Sequence, residues 1–116
     1  RISANEVAIG LTMPRVAAAV LQHRLDPCAF QRAVTLSQEF DPASALDAGF
    51  FDELVGPEDL IARAEALAGS FETLDARAHK TTKRRIRASL IRRIRLSLPL
   101  DLLDAVMMGL RGARPR

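Results

Sequence analysis

The sequence predicts a mostly α-helical segment of about six helices with one or two short strands. Three observations predict it. Helix-start signals recur at Asp26-Pro27, Asp41-Pro42 and Gly56-Pro57-Glu58-Asp59. Proline suits the first helical position, and an aspartate before it accepts from the unpaired N–H groups there. The chain is 48% hydrophobic but only 4% aromatic, and it is rich in Ala and Leu, which favours helix. Apolar residues then repeat at three- and four-residue spacing through most of its 116 residues. That length makes one domain or part of one, with a small core.

The elements follow in order. Ile2 and the apolar run after it could close a strand. Val7 to Leu11 reads either as a buried strand end or as a helical turn. Pro14 opens a helix to Leu25, with Val16, Ala19, Val20 and either His23 or Arg24 along one face. Asp26 caps a second helix to about Ser37, with Phe30, Ala33 and Val34 inward. Asp41-Pro42 starts a short third, Ala43 to Ala48, closed by Gly49. Phe50 to Val55 reads as the one clear strand. Pro57 starts a helix carrying Leu60, Ala64, Leu67, Ala68 and Phe71. Asp75 caps a long basic helix, Ala76 to about Leu96, striped by Ile86, Leu90, Ile91 and Ile94. Pro99 is expected to stop it, and Asp101 to begin a last apolar helix of Leu102, Leu103, Val106, Met107 and Leu110. The domain reading is a core segment over 1–74, a C-terminal helical region over 75–112 and a disordered tail over 113–116.

Charge is unevenly placed. Residues 1–60 carry a balance of −5 and residues 61–116 one of +8, which together give the net +3. Between Lys80 and Arg95, eight of sixteen residues are Lys or Arg. This basic helix has three readings: a solvated face, a cradle for phosphates, or a surface for a polyanion or anionic membrane. The chain has no recognised DNA-binding motif and that helix has no aromatic for base stacking, so no nucleic-acid partner is expected. No apolar run approaches membrane-span length and no signal-peptide pattern is present, so a cytoplasmic protein without a membrane partner is expected. A single cysteine, Cys28, fits a reducing compartment and is expected as a small buried hydrophobe. His23 and His79 lack ligand-spaced partners, so no metal site is expected. The start at Arg1 rather than Met suggests a fragment or a processed product.

One stretch carries candidate chemistry. Asn5-Glu6-Val7-Ala8-Ile9-Gly10-Leu11-Thr12-Met13-Pro14 sets a single carboxylate at the edge of an apolar run. Poor solvation raises a carboxyl pKa and makes it a usable proton donor near neutral pH. Glu-x-x-x-Gly-x-x-x-Pro, followed by a helix, by Ala43-Ser44-Ala45-Leu46-Asp47-Ala48-Gly49-Phe50-Phe51-Asp52-Glu53-Leu54-Val55 and by Pro57-Glu58-Asp59-Leu60, resembles the crotonase (enoyl-CoA hydratase/isomerase) superfamily. The resemblance covers roughly Ser3 to Arg87 and matches only the second half of a member.

The resemblance implies the C-terminal part of a crotonase-type ββα spiral α/β fold. It implies an acyl-CoA thioester as substrate, no separate cofactor, and Glu6 as the catalytic residue. Gly10, Met13 and Pro14 would then lie beside the substrate, and Lys80, Lys83 and Arg84 near the phosphates of CoA. In the family, two backbone N–H groups stabilise the thioester enolate. They belong to the absent first half, so the N-terminal half of the same protein is an expected partner. Trimer or hexamer assembly is also implied. Arg15-Val16-Ala17-Ala18 stands where familiar hydratases have a glycine-rich turn, which would narrow or reshape the acyl pocket. Enoyl-CoA hydratase is the leading expectation, enoyl-CoA isomerase the next, and a non-catalytic oligomerisation or scaffold fragment the third.

Overall fold

The computed structural model describes residues 1–112; the expected tail over 113–116 lies outside them. Six α-helices run in order: α1 Arg15–Arg24, α2 Pro27–Leu36, α3 Pro42–Ala48, α4 Leu60–Ser70, α5 Ala76–Ile86 and α6 Ala88–Gly112. Short 3₁₀ turns occupy Val7–Ile9 and Phe71–Thr73.

The expected caps form. Asp26 Oδ1 accepts from the N–H groups of Cys28 at 2.9 Å and Ala29 at 3.3 Å. Asp41 accepts from Ser44 at 2.8 Å, and Asp75 from Ala78 at 2.6 Å. Each satisfies donors that a helix start leaves unpaired. Gly49 closes α3 at φ 93°, and a Cβ there would sit 3.0 Å from the Arg24 carbonyl. Only glycine meets both demands cheaply.

These helices build a small core. Leu25, Ala29, Ala33, Val34, Phe40, Ala45 and Ala48 are buried together, with Ile2, Met13, Leu21, Phe30 and Phe50 packed against them. Phe40 is 1% exposed. A single antiparallel bridge, with Ile2 N–H donating to Phe40 at 3.0 Å and Phe40 N–H to Ile2 at 2.9 Å, ties the N-terminal segment to the chain after α2.

The structure corrects or resolves five expectations. Phe50 to Val55 forms no strand: it is irregular, and no edge among the described residues offers it a ladder. The Val7 to Leu11 alternative resolves as a 3₁₀ turn. Pro57 lies in a turn, and α4 starts three residues later at Leu60. Pro99 does not stop a helix. The basic helix breaks instead at Arg87, which nothing in the local sequence explains, and α6 then runs through Pro99. A proline inside a helix costs about 3 kcal/mol, so packing must offset it. α6 lies along α1 on both sides of that position, where the buried Ala19 and Ser97 are small enough for close approach. Cys28, finally, is exposed in the first turn of α2 rather than buried.

The molecule is long, at 60 × 32 × 26 Å with a radius of gyration of 18.2 Å. A compact chain of this length would measure about 13 Å. Its accessible surface is 9235 Å², against roughly 6200 Å² for a folded monomer of this mass. The excess lies in the second half, where no residue from Phe51 to Ser89 is buried. Ile61 is 68% exposed and Ile86 64%. Leu60, Leu67, Phe71 and Leu74 are likewise exposed. No helix of the described residues is long and apolar enough to cross a membrane.

Candidate functional site

Glu6 stands directly before the 3₁₀ turn, and the turn fixes its backbone. Its carbonyl accepts from Leu11 N–H at 2.8 Å and from Ile9 N–H at 3.2 Å. Gly10 turns the chain at φ 79°, a left-handed conformation that glycine takes without strain. The turn is also held from outside, because Ala8 N–H donates to Ser37 Oγ at 3.1 Å. Ser37 closes α2 in a left-handed conformation of its own, at φ 50°.

The Glu6 side chain is half-buried, and its Oε2 is fully covered without a hydrogen-bond partner among the described residues. A covered carboxylate oxygen with nothing to accept from is costly in a purely structural role.

Downstream, Leu11 to Pro14 runs without regular structure into α1. Met13 packs on the core, and with Thr12, Pro14, Met107 and Met108 it lines a cleft of about 520 Å³ between the loop and α6. Arg15, Asp101 and Asp104 close one side of that cleft. Asp101 accepts from Arg15 N–H at 2.9 Å through Oδ1 and from Val16 N–H at 2.8 Å through Oδ2. The Arg15 guanidinium donates to Asp101 at 3.2 Å and to Asp104 at 2.5 Å. The N–H groups, that of Val16 foremost, hold the Asp101 carboxyl below the usual carboxylate range. Asp104 first, and Asp101 with it, push the Arg15 guanidinium higher still.

Gly10, Met13 and Pro14 therefore share one loop with Glu6. Lys80, Lys83 and Arg84 stand elsewhere. They line an open groove on α5 with His79, Arg87 and Ile91, and α5 packs chiefly on α6. The Arg15–Asp101–Asp104 cluster went unread in the sequence. A signal for it existed: α1 starts after a proline with no side-chain cap, so an acceptor had to come from elsewhere. Nothing local says from where.

Solved structures place this arrangement in a family. The chain is 44% identical to an enoyl-CoA hydratase from Mycobacterium ulcerans, with a TM-score of 0.82, covering 88% of this chain and 45% of that one. To an enoyl-CoA isomerase from Mycobacterium tuberculosis it is 41% identical, with a TM-score of 0.83 and coverages of 88% and 45%. Human mitochondrial Δ3-Δ2-enoyl-CoA isomerase matches at 25% identity and a TM-score of 0.82, over 92% of this chain and 42% of that one. No protein-family model and no curated protein matches. The chain spans about 45% of the length of the first two of these structures. It belongs to the crotonase (enoyl-CoA hydratase/isomerase) superfamily and is consistent with a C-terminal half of such a protein.

Proposed function

We propose that this chain is part of a crotonase-type enzyme acting on acyl-CoA thioesters, with Glu6 as its proton-transfer residue. Hydration of a 2-enoyl-CoA is the leading reaction. The observation that carries the reading is the covered, unpartnered Oε2 of Glu6, fixed by its turn at the mouth of the loop that holds Gly10, Met13 and Pro14. In hydration the oxygen of water bonds to C3 and a proton is delivered to C2. Glu6 supplies that proton and regains one from the water, so its own charge is unchanged over the cycle.

Isomerisation is the second reading, favoured by the human mitochondrial enoyl-CoA isomerase among the structures this chain resembles. There Glu6 removes a proton from C2 of a 3-enoyl-CoA and returns one at C4 as the double bond moves. Either reaction needs two backbone donors on the thioester oxygen, which the N-terminal half of the protein would contribute. The long apolar faces of α4 to α6 fit burial against that half and against further copies in a trimer or hexamer.

The test is the hydration rate of the natural-length protein on a four-carbon 2-enoyl-CoA. Glu6→Gln should lower kcat by about a hundredfold or more. Undiminished turnover would exclude Glu6. Conversion of a 3-enoyl-CoA without hydration would select the isomerase, and an intact 12.7 kDa chain without either activity would select a non-catalytic scaffold.

A further inference from the structure

A helix start needs acceptors for its first N–H groups, and α1 has no local one. Pro14, at the cap position, offers only its carbonyl, which accepts from Ala18 at 2.9 Å. Two of the remaining donors, Arg15 and Val16, are taken by the two oxygens of one carboxylate, 86 and 85 residues further on. Asp101 is thus the cap of α1, delivered from another helix. Its side chain is only 13% exposed, and the Arg15 guanidinium folds back over it. Charge-assisted bonds of this kind are about twice as strong as neutral ones.

The loop that follows Glu6 therefore has two outside anchors. Ser37 holds the turn at its start, through Ala8. Asp101 holds its end, through Arg15 and Val16. Between them run only Ile9 to Pro14. A displacement of about 1 Å in a proton-transfer group can cost a hundredfold in rate. Glu6 stands just outside this span but is joined to it, because its carbonyl accepts from Leu11 N–H at 2.8 Å, so a carboxylate that fixes one end of the span bears on the backbone that holds Glu6.

We propose that Asp101 is a positioning residue for proton transfer, which caps α1 and so fixes the Gly10–Pro14 loop behind Glu6. The inference rests on Glu6 as the proton-transfer residue. Asp104 serves a lesser part, since it touches the Arg15 side chain and no backbone donor among the described residues.

The test uses the natural-length protein, hydrating a four-carbon 2-enoyl-CoA, in four variants: Asp101→Asn, Asp104→Asn, Glu6→Gln and the Glu6→Gln/Asp101→Asn pair. Asp101→Asn should lower kcat ten- to a hundredfold with KM within twofold, and Asp104→Asn should lose clearly less. In the Glu6→Gln background, Asp101→Asn should remove less than a further threefold, because both changes strike one step. Asp101→Glu, which keeps the charge, should recover part of the rate and serves if the amide variant is too unstable to assay. Full kcat in Asp101→Asn with an inactive Glu6→Gln would overturn the positioning role and leave Glu6 in place. Equal losses in Asp101→Asn and Asp104→Asn, or a full loss repeated in the Glu6→Gln background, would also overturn it. Undiminished activity in Glu6→Gln would remove both readings together.

Discussion

The ring of Phe40 lies 5.3 Å from that of Phe50, centroid to centroid, with the planes tilted by 56°. Phe40 leads into α3 and Phe50 follows it, so this pair brackets the helix and seals the core beneath it. Such tilted pairs add to the burial of either ring alone. Phe40→Ala should therefore cost about 3 kcal/mol or more, the range for a fully buried phenylalanine. Urea unfolding of the wild type and the variant measures it. A loss below about 1 kcal/mol would mean that the site collapses around the gap.

The α1–α6 junction carries a pH dependence. The folded Asp101 carboxyl is depressed, chiefly by the Val16 N–H. A depressed group contributes stability above its unfolded value and loses it as pH falls through its folded value. Thermal midpoints should hold from neutrality to about pH 5 and decline below about pH 4, where carboxyls begin to protonate. Asp41, depressed by Ser44, and Glu53, depressed by Arg63, titrate in the same direction. The difference between wild type and Asp101→Asn isolates the junction, and its curve should fall less steeply. Parallel curves would show that Asp101 protonation is not linked to folding.

If the α5 cations meet the phosphates of CoA, exchanging Lys80, Lys83 and Arg84 together for Gln should raise KM about tenfold, equivalent to ~1.4 kcal/mol. The rise should shrink at high salt, because exposed charges are screened there. Steady-state kinetics at two ionic strengths decides it, and an unchanged KM would leave these side chains as a solvated face.

Local signals were legible, and distant ones were not. Asp26, Asp41 and Asp75 each announce a helix start by their own chemistry, and each acts within three residues of itself, while Gly49 announces a helix end by its left-handed backbone. Pro99 and Asp101 were misread together. Proline usually ends a helix, and an aspartate soon after it usually begins one. Here the same aspartate reaches α1, and that contact helps carry α6 past the proline. Phe50 to Val55 has the composition of a strand, but strand formation needs a neighbouring edge, which composition does not reveal. Of the candidate site, Glu6, Gly10, Met13 and Pro14 were legible as one stretch. Ser37 and Asp101 were not, because they enter through contacts 29 and 85 residues away.

The cap supplied by Asp101 also has a schedule. During synthesis, Val16 leaves the ribosome 85 residues ahead of the carboxylate that its N–H awaits. At roughly 5–20 residues per second, that interval is about 4 to 17 s. For that time the start of α1 has only water for its open donors. The loop behind Glu6 can settle into its final place only once Asp101 has emerged, after α2 and α3 have had ample time to form.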